Sequence, residues 1–221
     1  MVMAEATNHY FKHLGVSDGL SQVCIPSIYQ DELGAVWLGT TEGLNRYNGK
    51  DVRVFQPSES NNGLTNNEIN ELCGDKNGRM YIRSGNDLIK LDIYTEQFTC
   101  LRQKGVYGLF CKKDTLWVSC ADGIYYYTGQ GTELTFFARV QKGFVGRALY
   151  VDRETVWVVT RKYLVAISRE DPLRQEILLT LDKGNCILGD SSGNIWVGAW
   201  NGLYRVSPDR ETTAYVSHSG M

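Results

Sequence analysis

The chain has 221 residues, 43% hydrophobic and 22% charged, with a formal net charge of -2 at pH 7. This is a globular composition, long enough for a sizeable core. With no basic block and no apolar run near the ~18 residues of a membrane helix, neither nucleic acid nor membrane contact is expected.

Residues 1–8 read as a disordered tail, and His9–Leu14 (HYFKHL) reads as an outer strand followed by the link GVSDGLS. A unit over 22–56 follows, with SIYQDELGAVW leading into Trp37–Tyr47 (WLGTTEGLNRY) and closing on VRVFQ. The polar run Ser60–Asn67 (SNNGLTNN) joins it to a unit over 67–102, in which ELCGDKNGRMY leads into Tyr81–Leu91 (YIRSGNDLIKL). The third unit, 106–139, carries GLFCKKDTLW and Trp117–Tyr127 (WVSCADGIYYY), with Lys in place of the recurring acid. The fourth, 144–181, carries ALYVDRETVW and Trp157–Ile167 (WVVTRKYLVAI). The fifth, 184–217, carries CILGDSSGNIW and Trp196–Val206 (WVGAWNGLYRV), and 218–221 is a tail.

The leading aromatics stand 44, 36, 40 and 39 residues apart, so the chain is a repeat. Each unit reads as four short alternating strands separated by turn signals, and no stretch sustains a helical period. A four-stranded unit of about 40 residues is a propeller blade. The fold expected is all-β, a β-propeller of five four-stranded antiparallel blades. One twisted sheet cannot bury both faces alone, so Trp37, Tyr81, Trp117, Trp157 and Trp196 are expected to pack between blades. The six Cys include no CxxC pair and are too sparse for a disulfide scaffold or zinc site. They read as small buried strand residues. The extra strand at 9–14 finds no vacancy in five complete blades. This points to an arc of a larger ring, with open blade faces that should self-associate or take up missing blades.

SIYQDELGAVWLGTTEGLNRYNG, and nearly as well NCILGDSSGNIWVGAWNGLYRV, resembles the two-component regulator propeller repeat. The likeness runs in phase over about residues 11–217. It implies the extracytoplasmic sensor region of Bacteroides-type hybrid two-component systems, hence a periplasmic location. There, seven-bladed propellers respond to oligosaccharides from polysaccharide breakdown, and the histidine kinase lies outside this chain. By that resemblance the five units are a partial ring of a seven-bladed propeller, and the chain itself is no enzyme.

The residues give little support to catalysis. His9, His13 and His218 are terminal, and the repeat body has no His. Asp31, Asp75, Asp152 and Asp190 recur at one turn per blade, where they accept backbone N–H groups rather than converge. No catalytic residue, metal ligand or cofactor is expected. Function is better sought where a unit departs from the repeat. Four residues after the leading aromatic stand Thr41, Gly85, Ala121, Arg161 and Trp200. Trp200 is either a stacking platform for a sugar ring or a packing residue for a further blade or domain. Arg161, Lys162 and Asn201, in the same two turns, either hold hydroxyl, uronate or sulfate groups or are ordinary solvated turn residues. Arg83 stands where units one and five have glycine and needs a partner, either the channel or a neighbouring acid. Asn66 and Asn67 could bond a sugar, although turn capping is the expected use. The leading expectation is an oligosaccharide-binding sensor module. The alternatives are a protein-interaction or structural propeller and a lyase-like or carbohydrate-active propeller enzyme.

Overall fold

A computed structural model describes residues 11–57, 63–141 and 144–215. Among the described residues, twenty strands form five four-stranded sheets, each a meander in chain order. The first holds β1 (Ser27–Gln30), β2 (Val36–Thr40), β3 (Gly43–Tyr47) and β4 (Val52–Phe55). The second holds β5 (Ile69–Gly74), β6 (Arg79–Ser84), β7 (Asp87–Asp92) and β8 (Gln97–Arg102). The third holds β9 (Val106–Lys112), β10 (Thr115–Cys120), β11 (Gly123–Tyr127) and β12 (Thr135–Ala138). The fourth holds β13 (Gly146–Val151), β14 (Thr155–Thr160), β15 (Tyr163–Ser168) and β16 (Gln175–Thr180). The fifth holds β17 (Gly184–Gly189), β18 (Ile195–Ala199), β19 (Gly202–Val206) and β20 (Thr212–Tyr215). All pairing is antiparallel. A short 3-10 turn spans Val16–Asp18.

The inner strands pack successively, β1 on β5, β5 on β9, β9 on β13 and β13 on β17. Four apolar clusters fill the spaces between neighbouring blades. Trp37, Tyr81, Trp117 and Trp157 are buried within them, each worth roughly 2–3 kcal/mol. Trp196 departs from the expectation. It is only half-buried and stacks on Tyr215 at 6.0 Å, because no following blade covers it among the described residues. Leu188, Leu203 and Tyr215 on the fifth blade and Ile28 on the first are exposed, so the five blades form an open arc.

Close approach between inner strands depends on size matching. A Cβ at Gly74 would lie 2.1 Å from Tyr29 Oη, and one at Gly189 would lie 2.1 Å from Tyr150 Cζ. A tyrosine of one blade thus fills the space left by a glycine of the next at both interfaces.

Two expectations need correction. Residues 11–14 form no strand, and His9 and the two tails lie outside the described residues. Each sheet holds four strands, and no fifth pairs with any of them among the described residues. The segment is instead tied across the first blade, with Ser21 N–H donating to Asn45 Oδ1 at 2.9 Å and Lys12 Nζ 5.5 Å from the Tyr47 ring centroid. The cysteines are not uniformly buried. Cys120 is buried, Cys73, Cys100 and Cys111 are half-buried, and Cys24 and Cys186 are exposed. Cys24 lies in the link before β1, and Cys186 lines the channel, where no blade covers it.

Candidate functional site

The turns between second and third strands are tied to the interblade links. Gly43 N–H donates to Asn67 O at 2.7 Å, Ala121 N–H to Gly105 O at 2.8 Å, and Trp200 N–H to Asp182 O at 2.9 Å. Turns and links therefore share one face of the arc, and that face carries the residues that depart from the repeat.

Trp200 and Arg161 line one hollow of about 520 Å³, together with Lys183, Arg147 and Asn185. Trp200 is 77% exposed, and the Lys183 ammonium lies 4.7 Å from its ring centroid. Lys162 lines an adjoining hollow of about 320 Å³ with Arg161, Arg147, Tyr107 and Phe144. None of Arg147, Arg161, Lys162 and Lys183 forms a salt bridge among the described residues. Arg147, Arg161 and Lys183 beside an open indole, with Lys162 in the adjoining hollow, suit an anionic ligand with an apolar ring face.

Both hollows meet the channel mouth at Arg147. The second residue of each of four inner strands, Asn70, Tyr107, Arg147 and Asn185, falls where the pairing register slips by one. Such a bulge leaves one residue unpaired and re-aims its side chain. All four line the channel cavity of about 600 Å³. Repetition of one bulge thus collects polar groups from four blades around one axis.

Arg83 also lines this channel. Its Nε lies 3.3 Å from Glu71 Oε2, and its Nη1 donates to Gly85 O. Burial pushes the Glu71 carboxyl up to about 7, against the lowering pull of Arg83 and the Leu109 N–H. Between 4.5, its ordinary value, and about 7 the folded chain therefore holds a proton that the unfolded chain has lost. Stability is expected to fall as pH rises through that window, by about 2–3 kcal/mol. Glu71→Gln should flatten that dependence in urea titrations between pH 5 and 8. An unchanged slope would show that Glu71 ionises normally.

The remaining sequence candidates lie apart. Asn201 is exposed and lines none of these three hollows. Asn66 is spent on turn bonds, its Oδ1 accepting Glu68 N–H at 2.9 Å and its backbone exchanging bonds with Ser84 Oγ. Asn67 contributes its carbonyl to Gly43. The recurring acids serve their turns. Asp31, Asp152 and Asp190 each accept two backbone N–H groups through Oδ1. Their Oδ2 atoms also accept the indole N–H of Trp37, Trp157 and Trp196 at 2.8, 2.6 and 2.8 Å. The indole and the Asn194 side chain hold the Asp190 carboxyl down to about 2. Asp75 has no indole to meet and pairs with Arg79 instead.

A different hollow of about 490 Å³, lined by Arg153, Glu154, Arg169, Glu176 and Arg210, mixes charges of both signs. Its Arg210 is paired with Glu176, so it offers no field of one sign. Among the described residues, no three His, Cys, Asp or Glu side chains are grouped to hold a metal ion, and no helix is long and apolar enough to cross a membrane.

Residues 19–42 match the family model of the two component regulator propeller, so the chain carries such a repeat. Over 53 residues it is 38% identical to histidine kinase P4 of Formosa agariphila, a match that covers 24% of this chain and 4% of the kinase. The fold is similar to the extracellular domain of a protein described as a hybrid two component system from B. thetaiotaomicron. There the TM-score is 0.80 and the identity 21%, over 93% of this chain and 32% of that one. It is also similar to a streptogramin B lyase, with TM-score 0.69 and 16% identity over 91% of this chain and 72% of the lyase. The chain thus spans about a third of the solved extracellular domain and a small fraction of the kinase. The fold is that of an all-β propeller, and the sensor likeness is carried by the repeat.

Proposed function

We propose that this chain is the ligand-sensing propeller of a hybrid two-component regulator on the extracytoplasmic side of a membrane. It binds an acidic oligosaccharide, bearing uronate or sulfate, at the channel mouth, and relays binding to a histidine kinase outside the chain. The observation that carries this reading is the convergence of Trp200 with Arg161, Lys183 and the bulge-presented Arg147 on one open face. An indole sheds water against the C–H face of a pyranose, and unpaired guanidinium groups bind carboxylate or sulfate through bidentate hydrogen bonds. Signalling requires no catalysis, because a ligand that prefers one arrangement of propeller and neighbouring domain by 1–3 kcal/mol shifts the equilibrium between them.

Calorimetric titration with uronate-containing and sulfated oligosaccharides, against neutral ones of equal length, tests this. Binding of the acidic set alone, weakening with added salt, is the expected result. Equal affinity for the neutral set, or none for either, would remove the reading. A second reading, an interaction propeller, is favoured by the exposed Ile28, Leu188, Leu203 and Tyr215 on the two free blade faces. In it, further blades of the same protein or a second copy cover these faces.

A further inference from the structure

We infer that Cys73 and Cys111 are a redox site that closes into a disulfide between the second and third blades. The two Sγ atoms lie 2.9 Å apart, although the residues are 38 apart in sequence and sit on different sheets. Bond formation brings the sulfurs to about 2.05 Å, a movement of roughly 0.9 Å.

The position in the repeat supports the pairing independently of that distance. Cys73 pairs in register with the leading aromatic of its blade, Tyr81, as Tyr29 does with Trp37 and Tyr150 with Trp157. Cys111 stands one residue further along β9, where it pairs with Leu116; Gly74 and Gly189 hold the matching place, opposite Met80 and Ile195. At two interfaces this meeting point is filled by tyrosine against glycine, with contacts tight enough to exclude a Cβ. Between the second and third blades the same point is filled by two thiols facing each other. Cysteine has neither the bulk of tyrosine nor the smallness of glycine, and two unbonded sulfurs 2.9 Å apart are crowded, a contact that bonding relieves. Among the described residues, no other two thiols lie within hydrogen-bonding reach.

The chemistry is thiol–disulfide exchange with an external disulfide as oxidant. Burial pushes the Cys73 thiol up and makes it the poorer first nucleophile, so the first attack is assigned to Cys111, reacting as a thiolate. That thiolate displaces one thiolate from the oxidant and forms a mixed disulfide. Cys73, losing its proton to solvent, attacks the Cys111 sulfur and releases the second thiolate. The chain loses two electrons and two protons, and the oxidant is reduced to two thiols. The closed loop restricts the unfolded chain, and the bond adds a covalent clamp to two blades already joined by packing, the Arg102–Asp122 ion pair and the Leu109 N–H bond to Glu71.

The test uses the full chain carrying C24S and C186S, which removes the exposed thiols. It is equilibrated with oxidised and reduced glutathione, quenched with an alkylating agent, and mapped without reduction. The expected product is a Cys73–Cys111 linked peptide in a chain lighter by two hydrogens, with Cys100 and Cys120 alkylated. The midpoint of thermal unfolding should rise by roughly 10 °C on oxidation, and this shift should vanish in C73S and in C111S. Full alkylation of both thiols after oxidation, a linkage to Cys100 or Cys120, or a thermal shift that persists in C73S would each overturn the proposal.

Discussion

Asp31→Ala is expected to destabilise the chain by about 3–5 kcal/mol in chemical denaturation, more than any other single turn substitution in the repeat. Asp31 is 4% exposed, and its two oxygens serve three donors: Leu33 N–H at 3.0 Å, Ala35 N–H at 2.9 Å and the Trp37 indole N–H at 2.8 Å. Trp37 and Ala35 are themselves buried, so their donors cannot turn to water once the carboxylate is gone. The cost is the desolvation of orphaned donors rather than the loss of one net hydrogen bond. Asp31→Asn keeps an acceptor for the backbone but can set an amide N–H against the indole N–H, and should cost about 1–2 kcal/mol. The same bonds recur at Asp190, but there the carboxylate and Trp196 are wetter, so Asp190→Ala should cost clearly less. Equal losses at Asp31 and Asp190 would mean that burial of the indole bond contributes nothing.

Trp200→Ala is expected to weaken binding of an acidic oligosaccharide about tenfold, equivalent to about 1.4 kcal/mol. The ring is 77% exposed, so its removal should leave the unfolding midpoint almost unchanged and the loss can be assigned to binding. Arg147→Gln should weaken binding by a similar factor and also reduce its dependence on salt, because a charge that pairs with the ligand is gone. Arg147 is the sharper probe, since it is shared by the channel and both flanking hollows. Affinity retained in both variants would move the ligand off this face and favour the interaction reading.

The legible part of the site was the part that breaks a local rule. Arg161 and Trp200 stand where other turns hold Thr41, Gly85 and Ala121, so sequence comparison within the chain exposes them, and they do share one hollow. Arg83 was legible as a charge needing a partner, and Glu71 supplies it. Asn66, Asn67 and Asn201 are polar, but polarity does not reveal that the Asn66 side chain is used in its own turn or that Asn201 lines none of the three hollows. Arg147, Tyr107, Asn70 and Asn185 gave no signal. Their convergence depends on a register slip at the start of each inner strand, and no residue type marks it. Lys183 gave none either, because it lies in a link between blades, where a Lys-Gly pair also stands at 104–105 and 142–143.

By itself the sequence determined the unit: four alternating strands, an acid at the first turn, an aromatic opposite it, and a meander in chain order. These features depend on residues within about ten positions of one another, where turn chemistry and strand alternation act locally. Only the tertiary structure decided which side chains from different units share a channel, that Cys73 faces Cys111, and that Trp196 has one face uncovered. Those outcomes come from the radial superposition of positions some 40 residues apart, which is set by how each sheet twists and fits the next. Local pattern specifies a blade, and the packing of one blade on another specifies the site.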